Sequence, residues 1–163
     1  MKYAFLFPGQ GSQYVGMGKD ISIHWQIAKQ VFMEANEVLG YDLKDLCFEG
    51  PLSHLTFTQE AQPAILTTSV AVLRILAEEG ITADLAIGHS VGAFAALVAA
   101  GSLPFGEALQ LVRQRGLLMA AVQQRGTMLA VVVAKETLLA EILQNIGQLD
   151  VAAYNSPTQI VLS

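Results

Sequence analysis

The pentapeptide Gly88-His89-Ser90-Val91-Gly92 offers the clearest chemistry in this chain. In a G-x-S-x-G pattern the serine sits on a strained strand-to-helix turn. Small residues two before and two after let the helix pack close to the strand while the hydroxyl stays exposed. A short, mostly apolar run, Asp84 to Ile87, precedes the pattern, and the small-residue run AFAALVAAG follows it. That is the strand, turn and helix context a nucleophile requires, although the five residues alone also suit an ordinary glycine-rich turn. A helix start carries free backbone N–H groups and a positive dipole end, both suited to a developing oxyanion. The N–H of Val91 is the expected first donor.

The serine needs a base, and His89 is next to it. Neighbours at a sharp elbow point apart, however, and a base must come within hydrogen-bond reach of the serine oxygen. His89 is therefore expected to be buried against the next strand, holding the elbow in shape. His24 and His54 lie in polar or helical surroundings and are expected at the surface. No histidine of the chain reads as a general base.

The glycine-rich loop FPGQGSQ follows a first apolar run, Tyr3 to Phe7. A dinucleotide fingerprint would need a third glycine where Tyr14 stands, and a phosphate loop would need a Lys-Ser/Thr pair that is missing. A loop after the first strand of an α/β sheet lies at the strands' carboxyl ends, where ligands bind. Gln10, or its backbone, is thus a candidate second oxyanion donor; a tight structural turn has the same spacing.

The helix expected from Phe105 to about Gln123 groups Ala108, Leu111, Val112, Arg115, Leu118, Met119 and Val122 on one face, with Arg115 the sole polar member. A guanidinium cannot lose its charge, so burying it demands a carboxylate or several acceptors. Arg115 could pair with an internal acid, snorkel to an edge, or wait for a substrate carboxylate held bidentately. Arg113 lies on a more mixed face and is expected to be solvated.

These residues must be positioned by an α/β arrangement. A helix is expected from about Ser22 to Leu39. Gln62-Pro63 precedes AILTTSVAVLRILAEEG, with proline in the first helical turn and Gly80 at its end. After Gly126 the pattern gives a strand (Met128 to Val133), a helix (Lys135 to about Asn145) and a strand (Leu149 to Tyr154). A turn at Asn155-Ser156-Pro157 leads into a last strand, Gln159 to Leu162.

Composition narrows the function classes. Among 163 residues 53% are hydrophobic and 14% charged, which suits a folded domain, and the net charge of −5 argues against nucleic-acid binding. Cys47 is the only cysteine; it excludes an internal disulfide or a Cys-rich zinc site and reads as a buried structural thiol. No metal is expected. Apolar stretches are shorter than the ~20 residues a bilayer requires, so a cytoplasmic protein, apart from membranes, is expected.

Taken together, FPGQGSQ, QPA at 62–64, GHSVG at 88–92, the run from Arg115-Gly116 to Met119, and the closing NSPTQIVLS resemble the malonyl-CoA:acyl-carrier-protein transacylases. These include the acyltransferase domains of fatty acid and polyketide synthases, and the resemblance covers the chain in order. It implies an α/β-hydrolase-like large subdomain (1–125) with an inserted ferredoxin-like small subdomain (126–163), both incomplete here. It also implies that Ser90 is the nucleophile, that Gln10 and Val91 form the oxyanion hole, and that Arg115 grips the malonyl carboxylate. Gln62, His89 and Asn155 are expected to support the site. The implied reaction passes malonyl from malonyl-CoA through Ser90 to the pantetheine thiol of an acyl carrier protein, with no bound cofactor.

Two departures qualify the match. The usual elbow continues with an acidic residue where this chain has Ala93, and GHSVGAFAAL also resembles the malonyltransferase subunit of malonate decarboxylase. The family's catalytic histidine falls after Ser163. The chain is thus expected to be a fragment, nearly inactive alone, with an open last strand: a truncated or proteolysed chain, or one half of a split enzyme whose C-terminal portion is a separate chain. The competing readings are a serine esterase or thioesterase, which leaves Arg115 unexplained, and an inactive remnant.

Overall fold

The computed structural model describes residues 2–122, 126–132 and 149–163. Two compact units divide at Ala121/Val122. The first contains β1 (Ala4–Phe7), α1 (Lys19–His24), α2 (Gln26–Leu39), α3 (Leu43–Glu49), α4 (Leu52–Leu55), α5 (Thr58–Glu78), β2 (Leu85–Gly88), α6 (Gly92–Ala99) and α7 (Phe105–Ala120). The second contains β3 (Leu129–Val132), β4 (Val151–Ser156) and β5 (Gln159–Leu162).

β1 and β2 pair in parallel, with Ala4 opposite Leu85 and Phe7 opposite Gly88. This register brings both strands to an end side by side, so the loop Pro8-Gly9-Gln10 and the elbow His89-Ser90 share one edge. His89 N–H extends the pairing by donating to Phe7 O at 3.1 Å. Parallel strands are usually covered on both faces, yet Leu6 is 75% exposed and Leu85 and Ile87 are also exposed among the described residues.

The core of this unit is mainly helical. Ala28, Val31, Phe32 and Ala35 of α2 meet the long buried face of α5 and Ala108, Leu109 and Val112 of α7. The expected helix from Ser22 to Leu39 is broken at Trp25, whose backbone is extended (φ −124°, ψ 117°). No glycine or proline marks that break, and Ile23 just before it is exposed.

The start of α5 also differs from expectation. It begins at Thr58, so Pro63 lies inside the helix rather than in its first turn. Proline has no N–H to give the carbonyl four residues back, which here is Gln59 O. Arg113 Nη1 takes that carbonyl at 2.7 Å. A side chain from α7 thus replaces the bond that the proline removes. The end of α5 follows its sequence: Gly80 has φ 73°, and Ile81 N–H returns to Leu76 O at 2.8 Å.

In the second unit the antiparallel order is β3-β5-β4. Ile160 and Leu162 are buried against Val131, Leu149 and Val151. β5 is paired on both sides, so the last strand is interior, not the open one expected. β4 runs through Ser156, and the turn is Pro157-Thr158, one step later than expected. The helix expected from Lys135 to Asn145 lies outside the described residues.

Candidate active site

The elbow depends on close backbone contact. A Cβ on Gly88 would collide with the backbone of Gly92, and one on Gly92 with the carbonyl oxygens of Phe7 and Pro8. Both glycines are therefore needed for α6 to start directly against the ends of β1 and β2. Ser90 has φ 53°, in the left-handed region that costs an L-residue roughly 1–2 kcal/mol. Strain of this kind is stored at functional positions. The turn closes through Gly92 N–H to His89 O at 2.9 Å and Ala93 N–H to Ser90 O at 3.1 Å. Val91, buried at the N-cap of α6, gives its N–H to no backbone acceptor among the described residues.

Ser90 Oγ accepts from Arg115 Nη2 at 3.1 Å. Arg115 Nη1 donates to Gln62 Oε1 at 2.5 Å. Gln62, fully buried, donates from Nε2 to Thr58 Oγ1 at 2.8 Å and to Met119 Sδ at 3.3 Å. Thr58 Oγ1 in turn donates to Gln10 Oε1 at 2.9 Å. One continuous chain therefore joins the glycine-rich loop, the first turn and a half of α5, the middle of α7 and the elbow. Sequence reasoning named Gln10, Gln62, Ser90 and Arg115 separately. It missed Thr58, which links two of them and whose spacing to Gln62, one helical turn, was the available signal.

Glycine makes the chain possible on α7 as well. A Cβ on Gly116 would stand 2.6 Å from Gln59 Cα and 2.9 Å from Thr58 O. α7 therefore backs directly onto the start of α5, and Arg115 is carried to Gln62.

The buried stripe of α7 is Phe105, Ala108, Leu109, Val112 and Gly116. The expected face is thus rotated by somewhat under one residue's turn of about 100°: Leu111, Leu118, Met119 and Val122 are exposed. Tertiary packing chose the side with the smaller residues because the α5 backbone lies so close. Arg115 flanks this stripe and is partly buried, rather than standing in its middle.

Arg113 flanks the other side, and it is not solvated as expected. It is 27% exposed, binds Glu60 Oε1 at 2.7 Å and the Gln59 carbonyl, and lies 5.0 Å from the centre of the Tyr41 ring. Burial, and then Glu60 beside it, pushes the Tyr41 hydroxyl above its ordinary pKa. Arg115, by contrast, has no carboxylate partner among the described residues.

His89 is exposed, contrary to the expected burial, and its ring lies against Gly9, where a Cβ would stand 2.6 Å from Nδ1. With β2 paired only to β1 among the described residues, no further strand covers it. His24 and His54 are at the surface as expected. Asn155 lies in β4 of the second unit and donates to Gln159 Oε1 at 3.2 Å across the hairpin. Cys47 is fully buried, and desolvation pushes its thiol up to about 12; it is no rival nucleophile. Among the described residues no three His, Cys, Asp or Glu side chains converge on a metal position.

Fold and site together define an α/β protein with a serine on a sharp strand-to-helix elbow and a cation in contact with that serine. The chain belongs to the acyl transferase domain family, which matches residues 4–163. It is 54% identical over 118 residues to the malonyl CoA-acyl carrier protein transacylase of Bacillus subtilis, covering 72% of this chain and 37% of that protein. The solved malonyl CoA-acyl carrier protein transacylase of Coxiella burnetii superposes with a TM-score of 0.94 at 38% identity, covering 99% of this chain and 53% of that one. A malonyl-transacylase solved in complex with a type II PKS acyl-carrier protein gives 0.92 at 38% identity, with 99% and 54% covered. The chain thus spans between a third and a little over half of these relatives' lengths.

Proposed function

We propose that the complete protein carries malonyl groups from malonyl-CoA to an acyl carrier protein through an ester on Ser90. The observation that carries this reading is Arg115: a partly buried cation touching the serine, held by a neutral amide and lacking a carboxylate among the described residues. A malonyl ester on Ser90 would place its free carboxylate two carbons from the ester carbonyl, within reach of a guanidinium that already contacts Oγ. An arginine can meet that carboxylate with two parallel hydrogen bonds.

Ser90 Oγ attacks the thioester carbonyl and its proton passes to a base. The Val91 N–H and Gln10 receive the oxyanion, the C–S bond breaks, and the coenzyme A sulfur leaves and takes up a proton. The pantetheine thiol of the carrier then attacks the seryl ester and gives its proton to the base. A C–S bond forms, the ester C–O bond breaks, and the base returns its proton to Ser90 Oγ. No bound metal or cofactor has a part in these steps. In this reading the base is a histidine outside the chain described, since Ser90 Oγ is hydrogen bonded to Arg115 and to none of His24, His54 or His89. His89 and Asn155 support the loop and the second unit.

The first unit is read as part of an α/β-hydrolase-like subdomain (1–125) and the second as the start of a ferredoxin-like one (126–163). A carrier protein as acceptor is supported by the names of the relatives and by the one solved with its acyl-carrier protein. The similarity of the Ala93 elbow to malonate decarboxylase subunits carries less than that. A cytoplasmic setting accords with the absence, among the described residues, of a helix long and apolar enough to cross a membrane.

The test is intact mass measurement of the complete protein after brief exposure to malonyl-CoA. A malonyl adduct on Ser90, discharged by holo carrier protein and lost in Ser90→Ala, is expected. Hydrolysis of malonyl-CoA with no adduct and no transfer would make the protein a thioesterase instead.

A further inference from the structure

We propose that Thr58 is a positioning residue, whose hydroxyl fixes the orientation of the Gln62 amide and through it the arginine that faces Ser90. The inference rests on the transferase reading for its consequence but on hydrogen-bond chemistry for its argument.

Arginine has only donors. The end of the Gln62 amide that meets Arg115 Nη1 must therefore be its oxygen. Its amino group then points the other way and needs acceptors, and Thr58 Oγ1 at 2.8 Å is the better of the two present, the other being the Met119 sulfur. Because Thr58 accepts there, its single proton is free for Gln10 Oε1, 2.9 Å away. With its oxygen used, Gln10 turns its amide nitrogen away from Thr58. The permanent charge of Arg115 thus sets the polarity of every link back to the glycine-rich loop. In Thr58 a single atom, Oγ1, fills both the acceptor and the donor role.

Burial gives the arrangement its force. Gln62 is fully buried, so solvent cannot replace a missing partner. Without the Thr58 hydroxyl its amino group would keep only a weak sulfur acceptor. The amide would then lose its fixed orientation, and Arg115 the oxygen that holds one of its two arms.

The experiment compares Thr58→Val, close in shape but without the hydroxyl, with Thr58→Ser, which restores it, in the complete protein. For malonyl loading of Ser90, kcat/KM should fall about tenfold in Thr58→Val, the size of one lost hydrogen bond, and stay within about twofold in Thr58→Ser. In a Gln62→Ala background Thr58→Val should add less than about twofold, because its route to Arg115 is gone. A loss in Thr58→Ser as large as in Thr58→Val, or multiplying effects of Thr58→Val and Gln62→Ala, would reduce Thr58 to a packing role. A wild-type protein that takes no malonyl would sink the transferase reading, not this inference. For that case the NMR signal of the Arg115 Nε–H decides: it should move in Thr58→Val and hardly in Thr58→Ser. An Arg115 signal unchanged in both overturns the proposal.

Discussion

Arg113 and Arg115 leave α7 two residues apart, flank the same buried stripe and meet the same stretch of α5. Arg113 is saturated. It holds a carboxylate, a backbone carbonyl that Pro63 leaves free, and the face of an aromatic ring. Arg115 holds a neutral amide and a serine hydroxyl, and no carboxylate among the described residues matches its charge. Two identical side chains in similar exposure therefore have different work: one closes the packing of two helices, the other is available to an anion. Burial does not separate them. The charge of the partner does.

The largest effect on activity expected from breaking this contrast is on Arg115. In the complete protein, on the transferase reading, Arg115→Ala should raise the barrier to malonyl transfer to Ser90 by about 1.5–3 kcal/mol, the worth of a hydrogen bond to a charged group, while acetyl transfer changes far less. Rates with the two acyl-CoAs check it, and an equal loss for both would make Arg115 a second packing arginine.

For Arg113→Ala the expected loss is in stability, about 2–4 kcal/mol, because Glu60 and the Gln59 carbonyl are left without their partner. Acyl preference should be unchanged. Restoring a backbone N–H with Pro63→Ala should soften that loss by about 1 kcal/mol, since Gln59 O regains a donor. Denaturant unfolding of the two single variants and the double variant measures the coupling, and strict additivity would mean that Arg113 does not replace the proline's missing bond.

The contrast between the arginines also shows what the sequence could and could not convey. Ser90 and its glycines were readable because the elbow is local: the contacts that exclude a Cβ at Gly88 and Gly92 involve the adjoining strand ends. The last strand, Gln159–Leu162, was placed correctly for the same reason, because a turn signal stands directly before it. The face of α7 was misjudged because hydrophobicity favoured Leu111 and Leu118, whereas the close approach of α5 at Gly116 favoured small residues. Arg113 was misread because Glu60 is 53 positions away in sequence. Thr58 carries no sign of its role until Gln10 and Gln62 converge on it. Local backbone demands are written in neighbouring residues; the choice of an arginine's partner is not.

The smallest effect concerns the residue that Arg115 touches and Arg113 does not. Ser90→Gly relieves the left-handed backbone, worth roughly 1–2 kcal/mol, and gives back about 0.5–1 kcal/mol as chain flexibility. The variant should therefore be slightly more stable than Ser90→Ala, which keeps the same backbone. Thermal unfolding of the pair tests this; equal midpoints would mean that the elbow is relaxed.

That positive φ at Ser90 has a consequence for anyone improving the protein by selection. A screen that rewards heat resistance alone would favour glycine at position 90 and so discard the proposed acyl acceptor while stability improved. Selection for robustness and selection for turnover pull this one position in opposite directions, so a stabilised variant should be accepted only after its serine has been shown to take up an acyl group.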